Sequence, residues 1–318
     1  TVRDPAGAFA YDVTGLPPED FPKWRDVNQQ EHPERNVSAS VFFEAIDGVA
    51  YAVAKTDPRR VFLGVGVFID GATIRACGTD GKMLAVARRE IPAVDPDYRA
   101  SIVLPLSAVA RLREFAGGSA TKPESEFGLS IEEGFLRASG ENADGNWLFE
   151  ASAIEGHYPN FAAVIPKNPH PVAKVDRAEL LAQIHRARAI LNDPNAPVVF
   201  RFCNQEMRVE GVSFDHGAYH GSASAETPYG EFRVGFNTRY LEATIRSLAE
   251  GNPVVLRGVS PERPVLFSAG EDKTGDVHLV MPIKISELGT RFFGEKDEDD
   301  EADDEADDEV EEEEEVEK

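Results

Sequence analysis

Cysteine, tryptophan and methionine are scarce in this 318-residue chain, at two, two and three residues. Two cysteines exclude a disulfide framework. Cys77 and Cys203 each lie in an apolar, strand-like stretch and are expected to be buried thiols rather than metal ligands. No run of roughly 18 apolar residues offers a membrane span, and no charged-then-apolar leader opens the chain. The expectation is a cytoplasmic protein with no membrane partner. The signatures GxxxxGK[ST], HExxH and GxSxG are all missing, which removes the usual nucleotide-hydrolysing, metalloprotease and serine-hydrolase readings. Positive charge is also short: 33 Lys and Arg against 57 Asp and Glu give a net charge of -24. Most of that deficit is local, because Glu295–Lys318 holds 18 carboxylates and two lysines, a net of -16, leaving -8 for the rest.

What the chain does have is repetition, which decides the fold before other features do. Trp147–Ala153 alternates like a strand, Glu155-Gly156 breaks it, and Tyr158-Pro159-Asn160-Phe161 sets two aromatic rings around a residue of fixed φ. Near the start, Ala8–Val13 has the same strand character and Phe21-Pro22-Lys23-Trp24 the same cluster, 137 positions earlier (158 minus 21). Ser38 precedes an apolar stripe of Val41, Phe42, Ala45, Ile46, Val49, Ala50 and Val53, a helix ending near Lys55. Asp176 precedes a second stripe of Leu180, Leu181, Ile184, Ala187, Ile190 and Leu191, 138 positions later (176 minus 38).

Between these helices the pattern predicts strands over 61–69, 73–77 and 83–88, a helix over 106–115, then strands over 127–131, 135–139 and 147–153. After Asp176 the same order returns: strands over 198–202, 207–212 and 218–225, a helix capped by Asn237 and running to about Glu250, and strands over 254–257, 264–268 and 277–285. Each unit reads as one helix, three strands, one helix, three strands. Two helices on one side of antiparallel sheet is the α+β layer solution. Two such units and the last strand of an earlier one imply three similar domains in an arc or ring. An opening on Thr1 leads us to expect that the earlier part of the natural protein is missing.

Four motifs carry a resemblance to a known family: Gly78-Thr79-Asp80-Gly81-Lys82-Met83-Leu84-Ala85, Gly156-His157-Tyr158-Pro159-Asn160-Phe161, Gly235-Phe236-Asn237 and Val280-Met281-Pro282-Ile283-Lys284-Ile285. Together they resemble the bacterial sliding clamps, the beta subunit of DNA polymerase III. The resemblance covers Ala8 to Ile285. It implies an α+β DNA clamp fold with residues 1–36 as the end of domain 1 and its connector, 37–166 as domain 2, 167–285 as domain 3, and 286–318 as an acidic tail. It also implies a ring-shaped, non-catalytic processivity factor without cofactors, a homodimer in its full-length form. Such a ring encircles double-stranded DNA and tethers the polymerase III alpha subunit, the clamp loader complex and other clamp-binding-motif proteins, while other holoenzyme subunits supply polymerase and 3'-5' exonuclease chemistry.

By the same resemblance, partner peptides insert into a groove lined by Phe62, Thr79, Gly81, Lys82, Met83 and Leu84 from domain 2 and by Pro159 and Val164 from the linker. Domain 3 adds Asn237, Tyr240, Val280, Met281, Pro282 and Ile283. Apolar walls with a flexible thioether suit Leu and Phe side chains. Met83 replaces a long side chain, often Arg, and Phe62 a Leu, so a shifted peptide preference is expected. Sequence-independent DNA contact is expected from Lys55, Arg59, Arg60, Arg111, Arg177, Arg186 and Arg239, with Ser107 and Glu114 standing beside Arg111 where the family is more basic. The acidic tail cannot bury a core and is expected to be disordered, either as a solubilising segment or as a DNA mimic. Other readings are weaker. Asp272-Lys273-Thr274-Gly275 looks like the phosphorylation motif of P-type ATPases without the membrane spans, and His216, His220 and Asp215 lack a further metal ligand. An enzyme built on Thr79 and Asp80 is explained more cheaply as a tight turn needing Gly81. A peptide-binding scaffold that does not encircle DNA is the main alternative.

Overall fold

The computed structural model describes residues 2–3, 10–11, 17, 35–92, 96–116, 125–132, 134–142, 145–213, 215–271 and 275–285. The chain divides into two units, Thr1–Glu34 and Arg35–Lys318. In the first, β1 (Val2–Arg3) pairs antiparallel with β2 (Ala10–Tyr11), inside the strand expected over Ala8–Val13. The cluster Phe21–Trp24 lies outside the described residues.

The second unit is a twofold repeat. Its first half runs β3 (Arg35–Ser38), α1 (Ala39–Ala50), β4 (Gly64–Asp70), β5 (Thr73–Thr79), β6 (Met83–Glu90), β7 (Arg99–Pro105), α2 (Leu106–Phe115), β8 (Glu126–Glu132), β9 (Phe135–Asn142) and β10 (Gly145–Ser152). The second half runs β11 (His170–Val175), α3 (Arg177–Leu191), β12 (Pro197–Cys203), β13 (Glu206–Ser213), β14 (Gly217–Glu226), β15 (Phe232–Asn237), α4 (Thr238–Ser247), β16 (Val254–Gly258), β17 (Val265–Ala269) and β18 (Val277–Val280). A strand precedes every helix, so the true period is strand, helix, three strands, occurring twice per half. The sequence pattern missed all four of these strands, β3 and β11 because each is short and rich in polar residues, and β7 and β15 because each runs directly into the helix that follows it.

Local chemistry accounts for the helix ends. The Asp176 carboxylate accepts from the Glu179 amide at 2.9 Å, and the Asn237 side chain accepts from the Arg239 amide, so α3 and α4 begin where the cap residues predict. Ser38 instead meets Ser40 through its hydroxyl and makes no cap bond to α1. Two helices are shorter than expected, α1 ending at Ala50 and α4 at Ser247. Ile190 is 45% exposed rather than on the buried stripe of α3, where Gln183 is buried and hydrogen-bonded to Glu179 and to the Ser222 carbonyl.

A 12-stranded sheet runs without a break through both halves, in the order β15-β12-β13-β14-β11-β16-β17-β18-β6-β5-β4-β7, beside a four-stranded sheet β10-β9-β8-β3. The halves join where β18 pairs antiparallel with β6, Met83 opposite Val280 and Ala85 opposite His278. Directly opposed residues project from the same face. Met83 and Ala85 belong to the core under α1 and α2, while Val280 belongs to the core under α3 and α4. The register at this seam therefore places all four helices on one side of the sheet. Among the described residues no helix is long and apolar enough to cross a membrane.

Candidate functional site

The strand expected over 277–285 is regular only to Val280. Pro282 has no N–H to donate, and the chain leaves the ladder. The segment is then held by two backbone bonds, Met281 N–H to the Lys82 carbonyl and Ile283 N–H to the Gly235 carbonyl, each 2.8 Å. One four-residue crossing thus ties the β5–β6 turn of the first half to the entrance of α4 in the second.

That turn is pre-shaped by its own side chains. The Thr79 hydroxyl donates to the Met83 carbonyl at 2.7 Å and accepts from the Gly81 amide at 3.1 Å. Asp80 Oδ1 accepts from the amides of Lys82 and Met83. Gly81 sits at φ +84°, and a Cβ there would meet a guanidinium nitrogen of Arg59 at 3.0 Å. Arg59 lies 3.9 Å from the Phe62 ring centroid and is clasped by Asp57, whose carboxyl it holds at a pKa of about 2.

The 14 expected groove residues divide between the two faces of the sheet. Leu84 and Met281 share the outer, helix-free face with Cys77, Val86, Leu279, Tyr158 and Phe161. The Tyr158 hydroxyl donates to the Cys77 carbonyl at 3.1 Å, its ring packs against Phe62 and Phe68, and burial pushes its pKa upward. Pro159 and Val164 are exposed beside this surface, and Val164 lies in a short 3-10 turn. Met83 and Val280 point the other way, into the helix-side cores. Tyr240 packs against both cores, Asn237 is spent as a helix cap, and Pro282 and Ile283 are half-buried. Leu279, which the sequence reading passed over, lies between Leu84 and Met281 on the outer face. Strand alternation was the available signal, because Leu279 and Met281 are two residues apart.

The expected DNA contacts also separate. Arg59 lies over the Phe62 ring beside the β5–β6 turn, and Arg239 stacks over Tyr240, its guanidinium 4.8 Å from the ring centroid. Arg177 donates to the carbonyls of Ile245 and Arg246, bolting the start of α3 to the end of α4. Lys55 lies in an exposed bend and Arg60 is exposed at the start of a short 3-10 helix, Arg60–Leu63. Arg111 and Arg186 remain on helix surfaces, paired with Glu114 and Glu179. Sequence reading missed Arg113, Arg188 and Arg246, which pair with Asp47, Glu242 and Glu242. In all, α1–α4 carry seven arginines against five carboxylates, while the chain ahead of Glu295 is net -8. Positive balance is thus concentrated on the helix side.

His220 Nδ1 lies 2.9 Å from Glu210, and among the described residues no group of three His, Cys, Asp or Glu is placed to hold a metal. Asp272–Thr274 and the tail from Ser286 lie outside the described residues. Cys77 and Cys203 are buried thiols.

Comparison with known proteins follows the same division. A family model described as DNA polymerase III beta subunit, central domain, matches residues 36–160, and one described as its C-terminal domain matches 162–284. The beta sliding clamp of Pseudomonas aeruginosa is 21% identical over 285 residues, covering 88% of this chain and 73% of that protein. The beta sliding clamp of Synechococcus elongatus is 24% identical over 282 residues, covering 88% and 72%. A crystal structure of the Pseudomonas aeruginosa DNA polymerase sliding clamp with ligand aligns at a TM-score of 0.73 and 21% identity, over 85% of this chain and 70% of that one, which shows a shared fold. With both halves of the repeat matched by consecutive domains of one family, this chain belongs to the DNA polymerase III beta subunits, the non-catalytic sliding-clamp processivity factors of DNA replication.

Proposed function

We propose that this chain forms part of a ring around double-stranded DNA and recruits partners through the seam between β6 and β18. The observation that carries the ring is the placement of all four helices, with their excess of arginine, on one face of an otherwise acidic molecule. Most of these arginines are already paired with helix carboxylates, which suits a weak, salt-labile grip on phosphates rather than a fixed footprint. Closure in a homodimer is supported by β14. It occupies the place in the second half that β6 occupies in the first, yet beyond Ala225 and Glu226 its outer edge has no strand partner among the described residues.

The groove reading rests on the outer-face apolar cluster in which half-buried Met281 and Tyr158 pack over buried Leu84 and Leu279, rimmed by the rigid Thr79–Lys82 turn. Peptides with Leu and Phe anchors, from the polymerase III alpha subunit, the clamp loader complex and other clamp-binding-motif proteins, are its occupants, and the cytoplasm is its compartment. The test is polarisation of a labelled Gln-Leu-Ser-Leu-Phe peptide with the wild-type chain and with Met281→Ala. Micromolar binding that weakens at least fivefold in the variant supports the groove, and no binding refutes it. Peptide binding with no salt-sensitive retention on circular DNA in a dimeric preparation would instead favour a scaffold that does not encircle DNA.

A further inference from the structure

We propose that the segment beyond Ile285 is a ligand for this same groove, competing in cis with partner peptides; the inference rests on the groove reading above. The first observation is where the described chain stops. Ile283 is bonded to Gly235, and Ile285 packs 3.5 Å from the position a Gly235 Cβ would occupy. Met281, Pro282 and Ile283 line the groove, so the last described residue lies at its domain 3 wall, and the rest of the chain starts there.

The second observation is the composition of that segment. The sequence continues Ser286-Glu287-Leu288-Gly289-Thr290-Arg291-Phe292-Phe293, and only then enters the acidic run. Leu288 and the Phe292-Phe293 pair are large apolar residues in a 33-residue stretch that is otherwise almost entirely charged or small. A solubilising tail has no use for them. A Leu with a Phe at short spacing behind it is the anchor chemistry the groove accepts. At ~3.3 Å per extended residue, Leu288 reaches about 10 Å past Ile285 and Phe293 about 26 Å, enough to lie back across the seam.

Charge points the same way. Lys82 is bonded beside Met281 and Lys284 follows Ile283, both exposed, while Arg59 is closed against Asp57 and Asp80 is turned onto the Lys82 and Met83 amides, so this edge carries a small positive excess in an otherwise acidic chain. The acidic run begins at Glu295, directly after the two phenylalanines, and reaches that edge once they are seated. Apolar anchoring sets the register and opposite charge holds the flank. The groove is then occupied until a partner peptide of higher affinity displaces the segment.

Tethering determines the size of the effect. A short flexible link gives an effective concentration of about 1 mM, so a segment with an intrinsic Kd of about 100 µM weakens partner binding by roughly tenfold. The test compares the 318-residue wild-type chain with the same chain carrying Leu288→Ala/Phe292→Ala/Phe293→Ala. The two are titrated with the labelled Gln-Leu-Ser-Leu-Phe peptide at low and at high salt. Binding about tenfold tighter in the triple variant, with the gap shrinking at high salt, supports the proposal. Equal, saturable binding to both chains overturns it and leaves the groove intact. Binding to neither overturns the groove reading and this inference with it. A second variant with Glu295–Glu301 neutralised to Gln and Asn isolates the charge contribution, and a gain there without any gain in the triple variant overturns apolar anchoring.

Discussion

Thr79→Val removes one hydroxyl at constant volume and tests whether the β5–β6 turn is a pre-formed wall. In the wild type that hydroxyl satisfies the Met83 carbonyl at 2.7 Å and the Gly81 amide at 3.1 Å, with Thr79 buried. The Gly81 amide can turn to solvent, because Gly81 is exposed, but the Met83 carbonyl loses a partner inside the sheet. A buried group left without its hydrogen bond costs about 1–3 kcal/mol, so the variant should be less stable by about 2 kcal/mol. For a unit of this size that is a fall of about 4–8 °C in Tm. The turn would also have to be ordered on binding, so peptide affinity should fall by about threefold. Thr79→Ser keeps both bonds and loses a methyl, about 0.8 kcal/mol, with unchanged peptide affinity. Calorimetry and polarisation on the three chains decide the matter. If Thr79→Val melts with Thr79→Ser and binds as well, the hydroxyl is not what shapes the wall.

Two glycines should respond in opposite directions to alanine. At Gly78 a Cβ would sit 2.4 Å from the Val49 carbonyl oxygen, which is helix backbone and cannot swing aside, so Gly78→Ala should cost about 2–3 kcal/mol in chemical denaturation. At Gly48, inside α1, the nearest atom would be the Ala87 Cβ at an ordinary 3.6 Å, so Gly48→Ala should add about 0.5–1 kcal/mol. Burial raises the Tyr51 pKa to about 12, so its neutral form is favoured in the fold. Unfolded tyrosine ionises near pH 10, so this contribution is complete below pH 10 and is lost as pH climbs to about 12. Roughly 3 kcal/mol of stability should vanish across that window, and Tyr51→Phe should flatten the loss in alkaline urea titrations. The Cys77 thiol is likewise raised to about 12 by burial, so it should resist a thiol reagent at pH 8 until the protein is unfolded.

The duplication, the α+β class and most elements were legible from the sequence because they depend on local chemistry. Asp176 and Asn237 cap helices since a short acceptor side chain reaches an amide within three residues. Gly71 and Gly81 turn the chain because they adopt positive φ. Alternation marked most strands, and a tight loop around Asp80 and Gly81 with a strand beginning at Met83 could be assigned before any contact was known. Tertiary structure decided the rest. Ile190 fits the α3 stripe by periodicity, yet its neighbour Leu191 is the side chain that turns in against Gly211 of β13, which leaves Ile190 outside. Arg177 reads as a surface cation until α4 presents its terminal carbonyls. The pairing of β6 with β18, residues almost 200 positions apart, has no local signature. That register turns Leu84, Leu279 and Met281 to one face and Met83 and Val280 to the other, and brings four helices to the same side. A strand sequence defines two faces by alternation, but only the packing of helices against one of them determines which face lies under the helices and which does not.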